Sequence, residues 1–124
     1  MIRKVKMVLQ AITIPEQRYE VAKNRVDFIK KYIFPGGFLP STEAMLNSIG
    51  NNTTLQLENF IDIGLDYAET LKHWRVRFLD QISNVESLGF DEIFNRLWEF
   101  YFCYCEGGFR ERAISAAQLT FRRV

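Results

Sequence analysis

Val5-Lys6-Met7-Val8-Leu9-Gln10-Ala11-Ile12 is nearly continuous in apolar residues, the pattern of a strand covered on both faces as in a parallel sheet, and it predicts an interior strand. The period then changes. Thr13 and Glu16 stand at capping-box spacing, Pro15 suits a first helical turn, and Tyr19, Ala22, Val26, Ile29 and Ile33 fall on one stripe, which predicts a helix over 16–32. Ser41 can cap a short helix with Glu43 in its first turn and Met45, Leu46 and Ile49 inward, stopped by Gly50-Asn51-Asn52. Thr54 to Ile63 alternates, with Leu55, Leu57, Ile61 and Ile63 on one face against Gln56, Glu58 and Asp62, as a half-exposed edge strand does. Asp66 and Glu69 form a second capping pair, and Tyr67, Leu71, Trp74, Phe78, Ile82 and Val85 predict a long helix ending near Gly89. Phe90, Ile93, Phe94, Leu97, Trp98, Tyr101, Phe102, Cys105 and Phe109 recur at three and four residues and predict a third helix stopping around Gly107-Gly108. Ala116 to Arg123 closes the chain as a strand with Ala117, Leu119 and Phe121 on one face.

Strand, helix, helix, strand, helix, helix, strand is an α/β order whose first element is a strand with nothing before it to pair with, so the pattern is that of part of a sheet. No repeat or linker divides the sequence, and residues 1–124 are expected to form one domain.

Between the first two helices, Lys31-Tyr32-Ile33-Phe34-Pro35-Gly36-Gly37-Phe38-Leu39-Pro40-Ser41 cannot continue a helix. Pro35 removes a backbone donor and biases Phe34 away from helical angles, while Gly36 and Gly37 allow a sharp reversal. Phe34, Phe38 and Leu39 then need cover, either by packing under neighbouring elements or as the wall of an apolar ligand site, and the segment alone does not choose.

Composition changes this picture in one respect. A chain of 124 residues that is 48% hydrophobic and 25% charged is ordinary, but 15% aromatic with 11 Phe is more than a small core requires, and a partner or ligand could share the excess. Sixteen basic and fifteen acidic residues are interspersed, with net charge +1, which builds no field for nucleic acid. No apolar run is long enough to span a bilayer, and the basic start Met1 to Lys6 leads to Pro15-Glu16 without a small-residue cleavage site, so a cytoplasmic location is expected. Cys103 and Cys105, two apart on a helix, point in different directions and imply buried reduced thiols, neither a disulfide nor a metal pair.

Three stretches carry a resemblance: Tyr32-Ile33-Phe34-Pro35-Gly36-Gly37-Phe38-Leu39-Pro40-Ser41; Gly64-Leu65-Asp66-Tyr67-Ala68-Glu69-Thr70-Leu71 with Trp74; and Trp98-Glu99-Phe100-Tyr101-Phe102-Cys103-Tyr104-Cys105-Glu106-Gly107-Gly108-Phe109-Arg110 followed by Gln118-Leu119. They resemble the cyclopropane-fatty-acyl-phospholipid synthase family, which includes the mycolic acid cyclopropane synthases, over essentially the whole chain but only the C-terminal third of such enzymes. The resemblance implies the C-terminal portion of a class I S-adenosylmethionine-dependent methyltransferase fold, Rossmann-like, with about four helices and three strands, the last antiparallel between the first two. Family enzymes transfer a methyl group from S-adenosylmethionine to a cis double bond of an acyl chain, as in unsaturated phospholipids, and a bound bicarbonate removes a proton so that the ring closes. By the same resemblance the backbone N–H of Ile12 and the hydroxyl of Tyr67 match bicarbonate contacts, and Gln10 falls where many members carry His. An amide can still donate there. Two further family contacts, a Cys and a Glu, lie upstream of the matched region. The resemblance also places Phe34, Leu39, Leu71, Tyr101, Cys105 and Phe109 along the acyl-chain pocket, although each is equally readable as core. His73 has no evident partner and reads as a solvated helix residue.

No Gly-rich turn leads from a strand into a helix, because Gly36-Gly37, Gly50 and Gly107-Gly108 all follow helical segments. The chain alone is therefore expected to bind no cofactor and to be inactive as the C-terminal part of such an enzyme. Two alternatives stand beside this: a non-catalytic acyl-binding or interaction module, and one subunit of a split methyltransferase whose N-terminal half is separate. A peripheral place on the inner membrane face and a homodimer through the exposed edge of the first strand are further expectations.

Overall fold

The computed structural model describes residues 4–124, so the start of the basic stretch at Met1–Arg3 lies outside the described residues. Three strands, β1 (Lys6–Thr13), β2 (Leu55–Asp62) and β3 (Ser115–Arg123), form one sheet in the order β1-β3-β2, with β3 antiparallel to both neighbours. The final strand thus inserts between the first two, as expected. Five α-helices surround the sheet: α1 (Glu16–Lys23), α2 (Thr42–Asn52), α3 (Gly64–Asp80), α4 (Ile82–Ser87) and α5 (Glu92–Arg110), with a π-helical turn at Ile29–Ile33.

Alternation along β3 sends its side chains to two different layers. Ala117, Leu119 and Phe121 pack with Met7 and Leu9 of β1, Leu55 of β2 and Met45, Leu46 and Ile49 of α2. On the other face, Ala116 packs with Ala68 and Leu71 of α3 and Phe102 and Phe109 of α5, and Ile12, Ile63, Tyr67, Trp98, Tyr101 and Cys105 close round them. The α3–α5 pair covers only the Ile12 end of that face, which leaves Val8 69% exposed. β1 is therefore an edge strand in this chain, half-covered at Met7, Leu9 and Ala11, and not the fully covered strand its apolar run suggests.

Other expectations are corrected as well. The helix expected over 16–32 stops at Lys23. Asn24 donates its side-chain amide to Glu20 O at 3.0 Å, Asp27 Oδ1 accepts from Lys30 N–H at 2.9 Å, and the Lys30 ammonium binds the carbonyls of Ala22, Lys23 and Arg25, so side chains take over the backbone groups a helix would need. Val26, assigned to the buried stripe, is 76% exposed. The capping roles also move: Pro15, without a side-chain cap bond, precedes α1, and Asp62 accepts from Gly64 N–H at 2.8 Å at the start of α3, in place of Thr13 and Asp66. The long helix breaks at Gln81, and Gly89 at φ +98° separates α4 from α5, whose N-cap is Asp91. At their far ends, α2 runs through Gly50-Asn51-Asn52 and α5 through Gly107-Gly108. Gly108 has a packing reason, since a Cβ there would stand 3.2 Å from Ile114 Cγ1.

In β2 the ladder slips between Leu57 and Asn59, so Leu57 pairs with Phe121 but Ile61 pairs with Gln118. This bulge moves Ile61 to the face opposite Leu55 and Leu57, where it is 47% exposed, because one extra residue inverts every later side chain.

Candidate functional site

The carboxyl ends of β1 and β2 and the start of β3 meet at one end of the sheet, where α3 begins. Arg123 N–H donates to Val5 O at 2.9 Å, and this fixes the phase of the antiparallel ladder. Odd-numbered residues of β1 pair with β3, so the backbone groups of Lys6, Val8, Gln10 and Ile12 point to the outer edge. The next outward donor, Ile14 N–H, is taken by Pro40 O at 3.0 Å. Ile12 is thus the last outward N–H before the loop closes over the edge.

Gln10 lies two residues back on the same side-chain face as Ile12. Its Oε1 accepts from Gln118 Nε2 at 3.0 Å, a cross-strand bond between residues directly opposite each other. Tyr67 sits in the first turn of α3, held by Tyr67 N–H to Ile63 O at 2.8 Å, with its ring 4.9 Å from Phe109 and 6.0 Å from Trp74. Its hydroxyl has no hydrogen-bond partner among the described residues, and burial, then the nearby Cys105, raises its pKa. Burial likewise pushes Tyr101 up to about 12 and Cys105 up to about 11. At neutral pH all three are uncharged, and they put hydroxyl and thiol groups into an otherwise apolar wall.

Of the residues singled out from sequence, Ile12, Tyr67, Leu71, Tyr101, Cys105 and Phe109 come together in one cluster. Phe34 touches it edge-on, 6.2 Å from the Tyr101 ring, yet is 55% exposed, so the loop is less covered than its composition demands. Leu39 is half-buried outside both clusters. Phe38 turns to α1, 6.3 Å from Tyr19 with the Lys23 ammonium over both rings. Cys103 is exposed, not buried as expected, because α5 points it away from α3 while Cys105 faces inward. His73 is exposed on α3.

Sequence reasoning missed a polar network beside this cluster. Asp62 binds the Arg112 guanidinium at 2.6 Å, the Ser115 hydroxyl at 2.7 Å and Gly64 N–H at 2.8 Å, and the Arg112 contact above all lowers its pKa to about 2. Arg112 adopts φ +59° to reach it. A polar residue ending an apolar strand just before a helical Gly was the available signal; its partners lie about fifty residues away and carried none. Gly64 is the one glycine at a strand-to-helix junction, and a Cβ there would overlap the Ser115 hydroxyl and stand 3.0 Å from Arg112 Nη1. Side chains of the chain itself, Ser115, Arg112 and Asp62, fill the space beside that junction. Ile12 and Tyr67 pack in one cluster, and Gln10 is exposed on the strand face it shares with Ile12. Among the described residues no cluster of His, Cys, Asp and Glu could hold a metal ion, and no helix is long and apolar enough to cross a membrane.

Known proteins share both sequence and fold with this chain. It is 42% identical over 117 residues to tuberculostearic acid methyltransferase UfaA1 of Mycobacterium tuberculosis, covering 94% of this chain and 27% of that protein. It is 35% identical over 96 residues to the cyclopropane-fatty-acyl-phospholipid synthase of Escherichia coli, covering 77% of this chain and 24% of the relative. The chain therefore spans about a quarter of the length of these relatives. The solved mycolic acid cyclopropane synthase CmaA1, complexed with SAH and CTAB, superposes with a TM-score of 0.83 at 23% identity, over 97% of this chain and 45% of that one. MmaA2 of Mycobacterium tuberculosis superposes with a TM-score of 0.81, also at 23% identity over 97% and 45% of the two chains. The fold is accordingly that of the C-terminal portion of these methyltransferases. The family model for mycolic acid cyclopropane synthetase matches residues 1–119, and the chain belongs to that family.

Proposed function

We propose that this chain supplies the acyl-binding wall and part of the bicarbonate site of an enzyme that transfers a methylene group from S-adenosylmethionine to the cis double bond of a phospholipid acyl chain. What supports the reading is the packing of Ile12 and Tyr67 with Leu71, Tyr101, Cys105 and Phe109 in one cluster, with the Tyr67 hydroxyl unpartnered among the described residues and Gln10 exposed on the strand face it shares with Ile12. The wall would exclude water from an acyl chain, and Phe34 adjoins it through Tyr101, whereas Leu39 stands apart from it. Donors in such surroundings hold an anion more strongly than in water. Bicarbonate held there would supply a base beside the reacting carbons. Tyr67, kept protonated by its burial, donates to it throughout the working pH range.

On this reading the 124-residue chain by itself is inactive, and the cofactor is held by residues outside this segment, in the same enzyme or in a separate subunit. The outer edge of β1, whose outward N–H and C=O groups have no strand beside them among the described residues, pairs with that missing part or with a second copy of this chain. Light scattering that finds only monomers at high concentration removes the second-copy pairing.

The test is turnover against bicarbonate concentration in the catalytically active assembly containing this segment. Tyr67→Phe should lower turnover about 10- to 100-fold, the loss expected for one hydrogen bond to a charged group, and added bicarbonate should restore part of it with acyl-substrate KM unchanged. Turnover equal to the unmodified enzyme removes Tyr67 from the site. Calorimetry on the chain alone should show no S-adenosylmethionine binding tighter than about millimolar. Acyl binding by a chain that never assembles with a catalytic partner favours a non-catalytic lipid module instead.

A further inference from the structure

We propose that Gln118 is a positioning residue that fixes the side-chain amide of Gln10 with its NH2 group presented to the anion. The inference rests on the bicarbonate reading above and assigns a role to a residue that reading leaves out. Gln10 and Gln118 are directly opposite on β1 and β3. They form one of the pairs whose backbones do not bond each other, since Gln118 uses its backbone toward Ile61 of β2 and Gln10 turns its backbone outward. In such pairs the side chains come closest, which suits a bond between two amides.

A side-chain amide has two ends of almost the same shape and opposite polarity. Left to itself, Gln10 could turn either end toward an anion, and the carbonyl end would face it lone pair to charge. Gln118 Nε2 donates to Gln10 Oε1 at 3.0 Å, and this occupies the end that would repel the anion. The group left over is the donor. Gln10 is exposed and shares its side-chain face with Ile12, which packs against the cluster containing Tyr67, so the NH2 group is free on that face of the sheet.

The prediction is a dependence on the polarity of residue 118 that exists only when residue 10 is Gln. A carboxylate at 118 accepts and cannot donate, so in Gln118→Glu it takes the Gln10 NH2 group and turns the carbonyl to the anion. The bicarbonate concentration giving half-maximal turnover should rise about 10- to 100-fold. Gln118→Leu frees the amide to adopt either orientation and should raise it only about twofold. Because the new charge also repels bicarbonate directly, Gln118→Glu is repeated in a Gln10→Leu background, where only that repulsion acts and the further rise should stay under about threefold.

Measured in the same active assembly, an equal effect of Gln118→Glu in both backgrounds overturns the positioning role, as does an effect on acyl-substrate KM in place of bicarbonate dependence. If Tyr67→Phe shifts the bicarbonate dependence and Gln118→Glu does not, the anion site stands and Gln118 has no part in it. Turnover that ignores bicarbonate in the unmodified assembly removes the anion site and this proposal together.

Discussion

The two faces of the sheet are built from the same three strands and differ in what they bury. Against α2, Leu119 and Phe121 are at most 1% exposed, and Met7, Leu9, Met45, Leu46, Ile49 and Leu55 pack round them with no polar side chain among them. Against α3 and α5, Leu71 and Phe109 are buried as deeply, but Tyr67, Tyr101 and Cys105 bring polar atoms into the same layer. The first face is a core that anything apolar and well fitted would serve. The second keeps hydroxyl and thiol groups in its apolar layer, and whether the fold or a ligand uses them is what the following measurements separate.

The sharpest way to break the comparison is to truncate one fully buried ring on each face. Phe121→Ala and Phe109→Ala should each cost about 3–5 kcal/mol in denaturant unfolding, from lost burial and the cavity left behind. They should differ in reach: loss of Phe109 takes away the ring 4.9 Å from Tyr67 and should release the raised pKa of that tyrosine toward its ordinary value, while loss of Phe121 should leave tyrosine titration unchanged. Equal titration shifts would mean the faces are not distinct.

Gly64→Ala comes next, at about 1–3 kcal/mol, because its Cβ must displace the Ser115 hydroxyl and crowd Arg112. Adding Ser115→Ala should recover part of that loss. A Gly64→Ala chain as stable as the original would show that the junction between the faces yields easily, and would reopen the space assigned to the Asp62 network.

How far the sequence reached follows the same division. Local patterns were legible: the three strands, the Ser41 cap, whose hydroxyl accepts from Ala44 N–H at 3.0 Å, and the apolar stripe of α5 all stand where periodicity placed them. What the sequence hid was every feature decided by a distant partner. The bulge at Glu58 depends on how β2 meets β3, and no residue in β2 announces it. One local feature was hidden too: Lys30, a few residues on, turns back to bind the carbonyls of Ala22 and Lys23 where α1 ends, while the stripe through Val26 read as continuous. At the site, Tyr67, Leu71, Tyr101, Cys105 and Phe109 were legible through resemblance and do converge. The Gln10–Gln118 bond and the Asp62–Arg112–Ser115 network were not, since each joins positions fifty or more residues apart.

A smaller effect separates the network from both faces. The pKa of Asp62 is held at about 2 when folded, below its ordinary value of 3.8, so the carboxylate's contribution is complete above about pH 4 and disappears as pH falls toward 2. The side chain is 38% exposed, and water screens the pair, so the contribution should stay under about 1 kcal/mol. Unfolding midpoints measured from pH 5 to about pH 2 should fall more steeply for the unmodified chain than for Asp62→Asn. Parallel curves would remove the ion pair from the stability of this end of the sheet.

The smallest expected effect bears most directly on the comparison. Tyr67→Phe keeps the ring against Phe109 and Trp74 and deletes only a hydroxyl that has no partner among the described residues. In a core, deleting a bonded hydroxyl costs about 0.5–1.5 kcal/mol, because the lost hydrogen bond is not replaced. Here no protein bond is lost and a partly desolvated polar group is removed, so the change in unfolding free energy should lie within about 0.5 kcal/mol of zero and could be stabilising. Loss of more than about 1 kcal/mol would mean that the fold itself uses the hydroxyl, and the second face would then be a core like the first. A neutral result in unfolding combined with the loss of turnover expected for the same substitution locates the use of this hydroxyl outside the fold. Neither measurement alone separates a packing tyrosine from a donor, since a packing role predicts near-normal turnover and a purely structural hydrogen bond predicts a stability cost.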